Sequence, residues 1–328
     1  MRLEATLAQR WEPGKVGAAG ALAVGVLLIY SLTASAAEPK KQYWATSLAG
    51  AVDEGLLQGL YEAVARGETG WLDVDPKHPI PRMTPGINLI LYHVGGNCYV
   101  GDDCRRFPSS EPTGDRWSDT ERVIDLNDPA ARKIVIEDLV TMVRRGDEVA
   151  PDDSIVGIHL DNVHRLDADG LAGVFNEFLK AVEVARRQGL ISKSRVVGYV
   201  AKNNPDDFRE ALDQRLLEMP PLYQINENAK LSRDGILDSE SRLAQSIGRR
   251  YCIPVFLKTF GSDVAYTTEQ DGSQVNVYVS EDMTKRMAQL PNISGAAWSV
   301  DEGKYHPTLF AQGAPVPQER GRFGCRAD

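Results

Sequence analysis

The chain has 328 residues, 42% hydrophobic and 25% charged, which is enough apolar material for one large core or two small ones. Its net charge of −9 argues against a general nucleic-acid binder and suits a neutral or cationic ligand. With no close C-x-x-C pair among the four cysteines and no histidines at ligand spacing, neither a metal nor any other cofactor is expected.

Residues 1–15 carry Arg2, Arg10 and Lys15, and Val16–Ala37 then runs without a charge and contains an Ala34-Ser35-Ala36 cleavage pattern. Residues 1–37 are therefore predicted to be a secretory signal peptide or, since the run is just long enough to span a bilayer, an uncleaved membrane tether through 16–37. Either reading places residues 38–328 outside the cytoplasm, secreted or periplasmic. Disulfides are permitted there, and Cys98, Cys104, Cys252 and Cys325 are the candidates. Cys98–Cys104 would close a short loop and Cys252–Cys325 would tie the tail to the body, although sequence alone does not decide the pairing.

From there the chain alternates between strand-like and helix-like runs. Strands are predicted at 43–48, 87–96, 122–126, 154–163, 194–204, 221–229, 251–260 and 293–300. Helical spacing marks 51–67, with Leu56, Leu57, Leu60, Tyr61 and Val64 on one stripe. It recurs after Asp128-Pro129, a cap followed by a first-turn proline, where Ile136, Leu139, Val140 and Val143 share a face. The clearest amphipathic helix carries Leu171, Val174, Phe175, Phe178, Leu179 and Val182. About eight strands, several followed by helices, imply an α/β fold with a parallel sheet. The expected fold is a (β/α)8 TIM barrel over residues 38–310, with 311–328 as a C-terminal tail. An open doubly wound sheet is the alternative, disfavoured because no Gly-rich phosphate turn follows the first strand.

A barrel carries its chemistry at the C-terminal strand ends, and here polar residues collect there. The candidates are Tyr92, Asp125, Asp161, Asn162, Lys202, Asn203, Asn226, Glu227 and Trp298. Asp161 and Glu227 are carboxyls on different strands that can face each other, and paired carboxyls are what glycoside cleavage requires. One must hold a proton for the leaving oxygen while the other stays ionised, a division that burial and mutual repulsion produce. Tyr92 and Trp298 offer faces on which a sugar can stack. Lys202, Asn203 and Asn226 offer hydrogen bonds to hydroxyls and to the carboxylates. Each also has a plainer reading: Asp125 as a cap, Trp298 as core, and the histidines at 93, 159 and 164 as scaffold or subsite residues.

Five motifs stand in order over roughly 42–300: "LILYHVGGN", "ERVIDLNDP", "VGIHLDNV", "GYVAKNN" and "QINENA". Together they resemble glycoside hydrolase family 114, the endo-α-1,4-polygalactosaminidase family, and related exopolysaccharide hydrolases. The resemblance implies a (β/α)8 barrel that cleaves an amino-sugar polymer, with Asp161 as nucleophile and Glu227 as general acid/base. The chain departs from the family pattern at Val156 and His159, where an acidic residue is frequent, and at His164, where Asp is usual. These differences touch the subsites and leave the carboxyl pair intact. A barrel of the same fold that binds polysaccharide without cutting it is the competing expectation. No H-E-x-x-H or G-x-S-x-G motif supports another hydrolase.

Overall fold

The computed structural model describes residues 44–47, 61–62, 70–76, 80, 82–83, 85, 87–101, 103–107, 110–112, 119–161, 168–202, 221–301, 309–313, 320–321 and 324–325. All of them belong to one compact unit, Lys41–Asp328. The segment 1–37 and most of the helix expected at 51–67 lie outside the described residues. Among the described residues, no helix is long and apolar enough to cross a membrane.

Eight strands are joined by seven parallel ladders. In sheet order they are β1 (Trp44–Ser47), β2 (Trp71–Val74), β3 (Asn88–His93), β7 (Ile155–Leu160), β8 (Val196–Lys202), β9 (Pro221–Asn226), β10 (Val255–Phe260) and β13 (Gly295–Ser299). A ninth, β14 (Leu309–Gln312), pairs antiparallel with β13, so part of the expected tail joins the sheet. Apolar and β-branched residues dominate most of these strands because both faces are covered, as parallel sheets require. Outward residues such as Leu89, Leu91, Val156 and Ile158 pack under α1 (Pro129–Val149) and α2 (Ala168–Arg187). Val255, Leu257 and Ala296 do the same beneath α3 (Ser239–Tyr251) and α4 (Glu281–Ala288). Asp128 caps α1 by accepting from the Ala130 amide, with Pro129 in the first turn, as the sequence predicts.

The sheet curls strongly. Trp71 on β2 and Tyr223 on β9 are four positions apart in sheet order, a separation of about 19 Å in a flat sheet. Their rings meet edge to face with centroids 5.3 Å apart. One buried cluster takes Trp71, Ile90, Val200, Tyr223, Ile225, Phe256 and Ala297 from six strands, so the inner faces converge on a common interior. The backbones of β1 and β13, far apart in sheet order, also lie side by side. This curled parallel sheet with helices on its outer face is compatible with a (β/α)8 barrel.

Four features differ from the sequence expectations. The run 122–126 supplies no sheet strand. Instead β6 (Glu121–Val123) pairs antiparallel with β4 (Asn97–Tyr99) and β5 (Glu111–Pro112) in a separate excursion after β3. Glu121 and Arg122 give β6 too little apolar surface for a doubly covered strand; only Ile124 and Leu126, just beyond it, are fully buried. The missing parallel strand is β2, which falls between the predicted strands at 43–48 and 87–96. The start of the run 251–260 is the end of α3 and a turn at Cys252. After β10 a further hairpin, β11 (Val264–Gln270) and β12 (Ser273–Tyr278), turns at Asp271-Gly272, both at positive φ.

Candidate active site

Strand alternation decides which side chains face the interior. On β7 the outward residues are Val156, Ile158 and Leu160, so Gly157 and His159 face inward and Asp161 continues that line just past the strand. On β9 Tyr223 and Ile225 face inward and Gln224 and Asn226 outward, which carries Glu227 inward at the same end. Tyr92 at the end of β3 pairs in register with His159 and projects beside it.

The Tyr92 hydroxyl donates to Asp161 Oδ2 at 2.7 Å. Burial pushes the Tyr92 hydroxyl far above the usual phenol range, the adjacent Asp161 charge and hydrogen bond add to this, and the Glu227 charge adds more. Tyr92 is therefore a permanent donor, and both carboxyls act on the same hydroxyl. The nearby Tyr99 hydroxyl is also raised, first by burial and then by Glu121, Asp161, Asp103 and Asp75. Beneath this rim, Asp73 Oδ2 accepts from the Tyr223 hydroxyl at 2.8 Å and meets His159 Nδ1 at 2.7 Å. Asp73, His159, Tyr223 and the inward Lys258 of β10 are all completely buried.

A cleft of about 640 Å³ opens from Tyr92 and His93 outward between the excursion and α1. Val94, Phe107, Ile124 and Met142 line its apolar part, while Asp75, Asp103 and Asp138 with Arg106 and Arg145 give it charges of both signs. The Cys98–Cys104 disulfide closes the loop that carries Tyr99 and Asp103. Arg106 ties the same loop to Asp138 of α1 at 2.9 Å. Cys252 is also disulfide-bonded. Its expected partner, Cys325, has its backbone in the short strand β16 (Gly324–Cys325), which lies against α3.

The other candidates disperse. Asn226 points away from the interior, and its amide donates to Ser241 Oγ of α3 at 2.9 Å. It clamps the end of β9 to the helix layer, since outward alternation leaves it no route to the rim. Trp298 shares the outward face with Thr259, packs in the helix-side core and directs its indole N–H at the Val279 carbonyl 3.5 Å away. That is the opposite face from Asp161, and it corrects the expectation of a stacking platform there. Asp125 is exposed and accepts from the Asn127 amide at 2.9 Å, forming the turn that enters α1. Lys202 ends β8 in register with the inward Ile225, and its side chain lies outside the description. Asn162, Asn203 and His164 lie outside the described residues. Sequence reasoning missed Asp73 and Tyr223. The signal was present in "WLDV" and "PLYQIN", where a polar group interrupts an apolar strand and must be satisfied inside. Among the described residues, no group of His, Cys, Asp and Glu forms a metal site.

No family model matches the chain, and no curated protein matches it. Among solved structures, an α-galactosidase from Thermus thermophilus in complex with p-nitrophenyl α-D-galactopyranoside is similar at a TM-score of 0.33 and 10% identity. The match covers 64% of this chain and 56% of that enzyme, so the chain spans little over half the length of the structure it resembles.

Proposed function

We propose that the protein is a (β/α)8 glycoside hydrolase that acts within an amino-sugar polymer outside the cytoplasm, with Asp161 as nucleophile and Glu227 as general acid/base. The observation that carries this reading is the Tyr92 hydroxyl, which donates to Asp161 and also lies within the field of Glu227. Their common influence on one hydroxyl supports a shared rim for the two carboxyls, as paired carboxyl chemistry demands. One strand separates β7 from β9, so their main chains are about 10 Å apart and their inward side chains converge. A carboxyl separation of about 5–5.5 Å would make the reaction retaining and one of about 6.5–9.5 Å inverting.

In this mechanism the ionised Asp161 forms a bond to the anomeric carbon as the glycosidic C–O bond breaks. Glu227 gives its proton to the departing oxygen. Glu227 then takes a proton from water, the water oxygen bonds to the anomeric carbon, and Asp161 leaves as carboxylate. The Tyr92 hydrogen bond favours the ionised form of Asp161 that the first step needs. The cleft beside Tyr92 would receive a neighbouring sugar. The apolar run at 16–37 and the Cys98–Cys104 bridge support export.

The test is hydrolysis of partly deacetylated poly-α-1,4-galactosamine by wild type, Asp161→Asn and Glu227→Gln at matched folding. Wild type should cleave, and Glu227→Gln should lose about 10²–10⁴-fold in rate. Binding without cleavage by all three proteins would favour the non-catalytic barrel instead.

A further inference from the structure

Beneath the carboxyl rim lies a buried polar chain that the two-carboxylate mechanism leaves unused. Asp73 Oδ2 on β2 accepts from the Tyr223 hydroxyl on β9 and from His159 Nδ1 on β7. The His159 ring meets the Tyr92 ring edge to face, with centroids 5.4 Å apart and planes at 88°. Tyr92 in turn donates to Asp161. Three strands thus lock one imidazole, and that imidazole walls the ring that carries the hydrogen bond to the proposed nucleophile.

We infer that His159, anchored by Asp73 and Tyr223, is a positioning residue for Asp161 that acts through the Tyr92 ring. The inference rests on the glycosidase reading for its kinetic consequence, although its geometric content does not. Two observations separate it from simple core filling. First, the network is expensive to bury: His159 Nε2 and Asp73 Oδ1 have no hydrogen-bond partner among the described residues. Apolar residues of similar volume would fill such a site at equal or better stability, so stability does not explain the buried polar groups. Second, the chain of contacts ends on a reactive group. Tyr92 is a long lever whose hydroxyl lies 2.7 Å from Asp161 Oδ2, and a tilt of its ring lengthens that bond. Against the flat aromatic edge stands a ring whose own rotation is fixed by a 2.7 Å contact to Asp73.

The charged and titratable groups around this line are Asp73, Tyr92 and Tyr223 about His159, with Asp161 and Glu227 about Tyr92. Lys258 adds a buried cation to the inner face from β10. The test is a double-mutant cycle read by two methods. His159→Ala and Tyr92→Phe are made singly and together in the full chain, and Asp73→Asn serves as an isosteric second perturbation should His159→Ala fold poorly. Without substrate, the Asp161 carboxyl is titrated by carbon-13 NMR. With substrate, kcat and KM are measured on partly deacetylated poly-α-1,4-galactosamine.

His159→Ala should raise the Asp161 midpoint in the same direction as Tyr92→Phe. It should lower kcat about 10–100-fold with KM within about threefold. In the Tyr92→Phe background it should add nothing to either readout. Asp73→Asn should show a smaller shift of the same sign that also vanishes in that background. An unchanged Asp161 midpoint, or effects that add in full to those of Tyr92→Phe, would overturn the inference. Failure of every protein to cleave the polymer overturns the proposed function, and the titration still decides the positioning role.

Discussion

Tyr92 is the residue on which the site turns. Its hydroxyl donates to Asp161 and cannot ionise in any working range, because burial and two carboxyls hold its proton in place. A donor of this kind stabilises the charged form of its acceptor, so Tyr92 lowers the pH at which Asp161 loses its charge. Tyr92→Phe should therefore move the acid limb of the kcat/KM profile to higher pH, and activity should fall first at low pH. An acid limb that stays in place would show that the hydrogen bond does not govern nucleophile ionisation. The strand-end positions of Asp161 and Glu227 are legible in the sequence because each acid follows an apolar strand. What surrounds them was less legible. Asn226 and Trp298 are polar and aromatic residues near strand ends, yet a one-residue difference in alternation turns each toward the helices. Asp73 gave the opposite error, since a carboxylate inside a four-residue strand looks like a loop residue until its partners on β7 and β9 are seen.

Among the elements, β7 is the one that aims Asp161. Gly157 sits at its inward midpoint and faces Gly198 of β8 in register. A methyl group on Gly157 would collide with Leu222 and Ile90, so the absence of a side chain there lets the interior close over the strand. Gly157→Ala should destabilise the fold by about 1–3 kcal/mol through overpacking, read from denaturant midpoints, and should reduce activity by shifting the β7 end. A variant as stable as wild type would mean that the interior is looser than the contacts imply. The doubly covered strands β3, β7, β8, β9, β10 and β13 were readable as apolar runs of the right length. β2 was not, because four residues carry little pattern. The run 122–126 misled because an edge strand of a small antiparallel sheet can look as β-prone as a barrel strand. The Asp271-Gly272 hairpin shows the reverse case, a strong turn signal placed where no barrel strand was expected.

At the scale of the whole molecule, the excursion between β3 and α1 builds the cleft that opens beside Tyr92. The Cys98–Cys104 bridge and the Arg106–Asp138 pair fix that wall from two sides. Closing so short a loop contributes about 2 kcal/mol, so Cys98→Ser with Cys104→Ser should lower stability by about that amount. Because the loop carries Tyr99 and Asp103 and none of the reacting groups, KM should rise several-fold while kcat changes little. Steady-state kinetics under reducing and non-reducing conditions would check this, and a fall confined to kcat would place the loop's role elsewhere. The central claim is that Asp161 and Glu227 form one catalytic pair, and its most direct test is cleavage of partly deacetylated poly-α-1,4-galactosamine by wild type, Asp161→Asn and Glu227→Gln. Shortened oligomers from wild type and intact polymer from both folded variants are the predicted result. Undiminished cleavage by either variant would contradict the account, because a pair that works without one of its members is not the pair that breaks the bond.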